Sequence, residues 1–215
     1  MRLTTLTLTL ALLLPLTATA QDISKINGTV SVNAGEQAGN VSAVNGSVTI
    51  GDRATVKEAS TVNGAVELGS GAQAGSLHTV NGSVSLDQGA RVHGAVESTN
   101  GAVSLDQGAE VAGSVTNVNG AIELKHAHVG GSIETVSGSI FVGEDSQVDG
   151  GIVVHETHGW NNANHPPHVV IGPHAIVRGT LDFRREVVLQ VSDTAQIGPV
   201  KGATPVRFSG SQPLE

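Results

Sequence analysis

The residues best suited to chemistry are histidines, and they concentrate in the segment HETHGWNNANHPPH, from His155 to His168. This segment holds four of the nine histidines and the only tryptophan of the chain. Two pairs within it have a spacing of three residues, and one further histidine follows shortly after. Neutral imidazoles are common ligands of zinc, copper and nickel. The candidate ligands for a divalent transition metal are therefore His155, His158, His165, His168 and His174.

The same histidines also fit a solvated loop that binds nothing. A zinc site needs three or four converging ligands, and the segment matches no established spacing: HExxH is absent and the chain has no Cys. His126 and His128 could face the same edge as the segment. His78 and His93 stand alone in the sequence and are interpreted as structural. Without the metal, we expect no cofactor.

Other catalytic arrangements have less support. The repeated LDQGA places Asp87 and Asp106 nineteen residues apart, a pair that calcium could bridge. It lacks the glycine-aspartate nonapeptide of calcium-loaded β-rolls, so a solvated acidic surface is the simpler interpretation. No Ser-His-Asp triad, glycosidase carboxylate pair or phosphate-binding loop can be defended. The sequence therefore favours a protein that is not an enzyme.

A repeat of about 18 residues must position these side chains. An Asn-Gly pair recurs at intervals of 18 or 19 residues, and Ser137-Gly138 takes the seventh place. The asparagines are Asn27, Asn45, Asn63, Asn81, Asn100 and Asn119. Aliphatic residues align in the same register, as in the column Val48, Val66, Val84, Val103, Ile122 and Ile140. Each unit divides into three hexads, which predicts an all-β, single-domain, three-sided parallel β-solenoid of roughly ten coils.

An antiparallel meander is the competing interpretation, because Asn-Gly between alternating apolar residues is a strong hairpin signal. Against the meander, an alanine returns at the same point of nearly every unit, an identity that hairpin strands do not require. In the solenoid each Asn-Gly marks a corner. We expect the glycine to supply a positive φ there and the stacked asparagines to bond along their column.

The ends of the chain set the compartment and the domain limits. Residues 1–20 read as a secretory signal peptide: Arg2, an apolar run from Leu3 to Leu16, and Ala18-Thr19-Ala20. The solenoid is predicted over residues 21–208, with the histidine segment as a loop insertion at 155–168 and a polar tail at 209–215. Because no later segment is apolar enough to span a bilayer, we expect an exported protein, periplasmic or secreted. The net charge of -8 argues against nucleic acid as the partner.

The repeat units resemble two known groups. IGDRATV, IGPHAIVRGTL and VGGSI look like bactofilins, β-helical bacterial proteins that polymerise end to end without nucleotide, and VNGSVSL looks like the repeats of β-helical putative bacterial adhesins. The bactofilin resemblance covers residues 26–208 as a repeat pattern, and the predicted signal peptide departs from those cytosolic filaments. The hexad also resembles the left-handed β-helix of hexapeptide-repeat acyltransferases and related carbonic anhydrases, but no histidine here matches their motifs.

These observations together predict a structural protein of the bacterial cell envelope. It would act as a scaffold, a filament subunit that pairs end to end with its own copies, or an adhesion module that binds envelope components. Backbone pairing at exposed coil ends would drive the self-assembly. The alternative is a metal-binding protein, or a hexapeptide-type metal-dependent enzyme, that uses the histidine segment.

Overall fold

The computed structural model describes residues 20–157 and 166–210. Residues 1–19 of the predicted signal peptide, His158 and His165 of the histidine segment, and residues 211–215 lie outside this part. Every element within the described residues is a β-strand. They contain no helix with the length and hydropathy of a membrane span.

The strands form the three sides of a β-solenoid, and every strand pair between neighbouring coils is parallel, as in β4 to β6 and β5 to β7 (bounds below). Side one is a ten-stranded sheet, which gives ten coils. Sides two and three belong to one sheet of 16 strands, because two long strands run through both sides. The prediction of a parallel β-solenoid of about ten coils is confirmed, and the antiparallel meander is excluded.

Side one consists of β2 (Val30–Val32), β4 (Val48–Ile50), β6 (Val66–Leu68), β8 (Val84–Leu86), β11 (Val103–Leu105), β14 (Ile122–Leu124), β17 (Ile140–Val142), β20 (His168–Ile171), β23 (Val188–Ser192) and β26 (Val206–Phe208). Side two consists of β9 (Arg91–Val92), β12 (Glu110–Val111), β15 (His128–Val129), β18 (Gln147–Val148), β21 (Ile176–Val177) and β24 (Gln196–Ile197).

Side three consists of β1 (Ile23–Asn27), β3 (Asn40–Asn45), β10 (Val96–Asn100), β13 (Val115–Asn119), β16 (Ile133–Thr135), β19 (Ile152–Val154), β22 (Leu181–Phe183) and β25 (Val200–Lys201). The two long strands, β5 (Thr55–Asn63) and β7 (Gln73–Asn81), cover sides two and three together.

The core is a set of columns in which like residues stack on like. Successive coils pair Val48 with Val66 and Ile50 with Leu68, and these side chains are fully buried. Valine and isoleucine suit this arrangement because their branched side chains pack well on a pleated surface. The continuous contact from coil to coil provides the apolar burial that stabilises a chain with few aromatic residues.

Two corners matter for the functional residues. The asparagine corner joins side three to side one and carries the Asn-Gly pairs. The second corner joins side one to side two and is a tight turn, in which the amide of Ala54 donates to the carbonyl of Gly51 at 3.1 Å. Except at Thr194, the third residue of this turn has a positive φ, which glycine adopts most easily. Glycine fills the place in five coils, but Arg53, His126, Asp145 and His174 fill it in others.

Candidate functional site

The histidine segment leaves the solenoid at the asparagine corner, one coil after Ser137-Gly138. β19 ends at Val154 and β20 begins at His168, so the segment fills the place that a corner of two or four residues fills in the other coils. The sheet continues across it, since Val142 pairs with Ile171 and Val154 with Phe183. The register of the solenoid therefore continues across the insertion.

His155 stands at the base of the insertion, bonded to a carboxylate. Its Nε2 lies 2.9 Å from Oε2 of Glu134, and each side chain is 35% exposed. Its backbone amide donates to the carbonyl of Thr135 at 2.9 Å. When Nε2 carries the proton and donates to Glu134, Nδ1 is left as an acceptor. This pairing fixes the position of the His155 ring.

The other candidate ligands are distributed over two corners. His168 is exposed at the start of β20, and its backbone amide donates to Oγ of Ser139 at 3.2 Å. His174 lies beyond the far end of β20, at the second corner, with Nδ1 3.7 Å from Oδ1 of Asp145. Among residues 20–157 and 166–210, no three His, Cys, Asp or Glu side chains converge as a metal site would require.

The remaining histidines also have defined places. His126 has a φ of 49° at the second corner, in the same turn position as His174 two coils later. His78 lies on side three with Nδ1 3.5 Å from Oε2 of Glu97. His93 has Nε2 3.3 Å from the side-chain oxygen of Gln73. None of these three lies at the asparagine corner.

His128 belongs to a ladder of ionisable residues across side two. Its Nε2 lies 2.9 Å from Oδ2 of Asp149, and its Nδ1 lies 3.9 Å from Oε1 of Glu110. Arg178 also donates to Asp149, from the next coil. The hydrogen bonds from His128 and then from Gln147 hold the pKa of the Asp149 carboxyl below its ordinary value. Hydrogen bonds and ion pairs between ionisable side chains therefore link neighbouring coils across side two.

The two LDQGA aspartates lie on the second corner. Burial, followed by the negative charge of Asp106, raises the pKa of Asp87. Asp106 has a cation beside it, since Oδ1 lies 3.6 Å from Nζ of Lys125. The pair is therefore an acidic surface with one partner cation at its end.

The six asparagines form a ladder at the asparagine corner. Each Nδ2 donates to Oδ1 of the asparagine one coil earlier, at 3.3 Å for Asn45 to Asn27 and at 2.9–3.0 Å for the other four bonds. All six side chains are exposed, so the ladder runs along the outer surface. These bonds cross from coil to coil and keep successive corners in line.

The glycine after each asparagine is required mainly by close packing. Gly28, Gly64, Gly101 and Gly120 have positive φ, but Gly46, Gly82 and Gly138 do not, so the expectation of a positive φ at every corner is wrong. A Cβ on Gly82 would overlap the carbonyl oxygen of Gly64, and the same overlap recurs along the column. Corners of adjacent coils approach so closely that no side chain fits between them.

No protein-family model, curated protein or solved structure matches the chain. The likeness to bactofilins and adhesins therefore rests on the repeat pattern alone.

A column of buried polar residues escaped the sequence analysis. It lies two positions before each corner and comprises Thr61, Thr79, Ser98, Asn117 and Thr135. Four of the five donate to glycine carbonyls of the corner, as Thr61 Oγ1 does to Gly46 at 2.8 Å and Asn117 Nδ2 to Gly101 at 2.9 Å. In Thr135 the hydroxyl instead accepts from the amide of Gly138 at 3.0 Å. The signal was present as a Thr, Ser or Asn two places before five of the seven Asn-Gly and Ser-Gly pairs.

Proposed function

We propose that the chain is a non-enzymatic, exported scaffold protein of the bacterial cell envelope that binds envelope components through its sides, as an adhesion module does. The parallel register through ten coils supports a rigid rod. With about 4.8 Å between neighbouring coils, the first and last coils are roughly 43 Å apart. Such a rod offers long, regular sides at little entropic cost, because its surface is ordered before it binds.

The observation that carries this proposal is an exposed aliphatic strip on side three, next to the asparagine ladder. Ile26, Val44 and Val62 occupy the same position in the first three coils and are 71%, 42% and 41% exposed. Large aliphatic side chains that stand together on a surface mark sites of interaction more often than single ones do. The strip is flanked by amide and hydroxyl groups, a combination suited to binding a partially apolar partner.

Cell fractionation and envelope binding test the proposal. The protein, expressed with its own leader, is expected outside the cytoplasm with Gln21 as its first residue, and it should sediment with purified envelope fragments. The variant Val44→Ser/Val62→Ser should reduce the bound fraction at least threefold. The matched control is Phe141→Ser, which removes a 39% exposed apolar side chain from side one. Cytoplasmic retention of the precursor, or equal binding by both variants, would contradict the proposal.

A second candidate function is metal binding at the base of the histidine segment, and the pairing of Glu134 with His155 favours it. Histidines that bind metals usually donate their other ring nitrogen to a carboxylate, which orients the ring and raises its basicity. Glu134 bonds to Nε2 of His155 at 2.9 Å, which leaves Nδ1 for a ligand. His158 and His165 lie outside the described residues, and His168 stands at the other end of the insertion.

Metal content decides this second candidate. Protein purified without a His tag is expected to hold a stoichiometric amount of zinc, copper or nickel, and His155→Ala or His165→Ala/His168→Ala should lose it. His78→Ala and His93→Ala are the matched controls, since both side chains lie away from the insertion. A metal-free preparation that binds no added zinc at micromolar concentration would dismiss the site and leave the scaffold role untouched.

A further inference from the structure

The two ends of the solenoid are sheet edges. β1 and β2 lie at one end and β24, β25 and β26 at the other, and in the described part of the chain each pairs with strands on one side only. An unprotected edge of this kind readily pairs with another chain. The cross-section of one coil end matches that of another, so the partner that could satisfy all three sides at once is a second copy of this chain.

At the first coil, a lysine occupies an inward position. Lys25 pairs in register with Ala43, which is 5% exposed and points into the core. The ammonium turns back and donates to the carbonyl of Thr29 at 2.8 Å. Lys25 therefore lies at the head of the inner column at the asparagine corner, which continues through Ala43, Thr61, Thr79, Ser98, Asn117, Thr135, Val154 and Phe183.

At the last coil, an arginine occupies an inward position in the same way. Arg207 pairs in register with Val191, which is fully buried. Its Nη1 donates to the carbonyl of Ser192 at 2.9 Å. The column that it ends is aliphatic throughout and comprises Val32, Ile50, Leu68, Leu86, Leu105, Leu124, Val142, Ile171 and Val191.

The interior coils carry no charge at these two column positions, within the residues that the structure describes. The cations stand only where each column ends, and each bonds to a backbone carbonyl of its own end. A further coil stacked on either end would enclose a charged group in the core, which is strongly unfavourable without a partner anion. Inward-pointing charges are one of the devices by which natural sheets protect their edges.

We propose that Lys25 and Arg207 are end caps that prevent the coil ends from pairing with a second copy of the chain. The protein is then a rod of fixed length. The end-to-end assembly expected from the repeat pattern is blocked by these two residues and does not occur in the wild-type protein. This inference is independent of the scaffold role, since a capped rod and an uncapped one present the same sides.

Replacement of both caps by the residue types of their own columns tests the proposal. Threonine is chosen for Lys25→Thr because Thr61 and Thr79 occupy the same column. Valine is chosen for Arg207→Val because Val191 occupies the same column. The exported wild-type protein should sediment as a single copy at all concentrations. The double variant should show an average mass that rises at least threefold with concentration, and electron microscopy should show rods that lengthen into filaments. Neither single variant should form filaments, because a junction between the first coil of one copy and the last coil of another would still contain one cap.

The control variant is Lys57→Thr/Lys201→Val. It removes two cations as well, but Lys201 lies on the terminal strand β25 opposite Asp182, an outward position. Circular dichroism verifies the fold, and Lys25→Ala/Arg207→Ala repeats the test if the first pair does not fold. Wild-type filaments, a folded double variant that remains a single copy, or association of the control to the same degree would each overturn the proposal.

Discussion

The hydroxyl of Thr61 donates to the carbonyl oxygen of Gly46, the corner glycine one coil earlier, at 2.8 Å. Thr61 is 2% exposed, so water does not reach this bond from outside the solenoid. The same relationship recurs in Thr79 and Ser98, which donate to Gly64 and Gly82. Two sets of hydrogen bonds therefore stabilise the asparagine corner. The buried polar column bonds to it on the core side, and the asparagine ladder links it to neighbouring corners on the outer surface.

Thr61→Val should destabilise the protein by about 1–3 kcal/mol, because valine keeps the shape of threonine but leaves the Gly46 carbonyl buried without its donor. Urea unfolding followed by circular dichroism measures the change. Thr55→Val, an exposed position on the same strand, makes the identical chemical change and should alter the free energy of unfolding by less than about 0.5 kcal/mol. Equal effects at the two positions would show that the buried bond contributes nothing.

Gly82→Ala should lower the free energy of unfolding by more than Gly89→Ala does. A Cβ at Gly82 overlaps the carbonyl oxygen of Gly64, whereas Gly89 has a φ of 69° with open space around it. We expect a loss of at least about 3 kcal/mol for the first variant, from forced separation of two coils. The second should lose about 1–2 kcal/mol, from the left-handed backbone alone. Thermal unfolding of both variants ranks them, and the reverse order would refute the close approach of the corners.

The repeat made most of the fold predictable. A spacing of 18 or 19 residues and like residues in register were enough to predict parallel coils, because a column of identical aliphatic positions has no purpose unless the coils stack. The role of the corner glycines was harder to predict from the sequence. Whether glycine serves a positive φ or a close approach depends on the distance between coils, which sequence spacing does not contain. His174 shows the same limit, because its closeness in sequence to His168 conceals its position at another corner.

The buried polar column and the end caps were missed for a related reason. Thr61 and Lys25 are polar residues within alternating strands, and a polar residue is ordinarily assigned to the outer face. Only the register reveals that they point inward, where Thr61 meets a carbonyl and Lys25 ends a column. The sequence shows which residues alternate along a strand. Only the strand paired with it in the next coil shows which groups each side chain contacts.

Asn81→Ala should affect stability more than Asn27→Ala. Asn81 donates to Asn63 and accepts from Asn100, while Asn27 ends the ladder and accepts only from Asn45. We expect a loss of about 1 kcal/mol or more for Asn81→Ala, since two hydrogen bonds disappear, and roughly half of that for Asn27→Ala. Chemical denaturation under the same conditions provides both values. If the ladder contributes nothing to stability, both variants would have the same free energy of unfolding as the wild type.

Two carboxylates should show opposite pH signatures. The pKa of Asp149 is lowered by its bonds to His128 and Gln147, so its contribution is present above about pH 4 and is lost as pH falls through the folded-state value. The pKa of Asp87 is raised by burial and Asp106, so ionised Asp87 is unfavourable at pH 7 and its cost vanishes on acidification. Both side chains are partly solvated, which limits each effect to a few tenths of a kcal/mol.

Asp149→Asn is therefore expected to destabilise the protein slightly at pH 7, and Asp87→Asn to stabilise it slightly. Both differences from wild type should be smaller at pH 3, and that of Asp149→Asn should disappear last, because the lowered pKa keeps this carboxyl ionised to lower pH. Unfolding free energies at the two pH values, with each variant measured beside wild type, test the signs. A destabilised Asp87→Asn at pH 7 would show that its carboxylate makes a favourable contact.

The central claim, a rigid rod in which each unit of about 18 residues advances by one coil, is tested most directly by a distance between two spin labels. Ser60 and Asp182 occupy the same outward column, six coils apart. Pulsed electron paramagnetic resonance should give one narrow distribution near 29 Å, since each coil adds about 4.8 Å. A distribution near twice that distance would mean that each unit contributes two sheet strands, and a broad one would mean a flexible chain; either result would contradict the account.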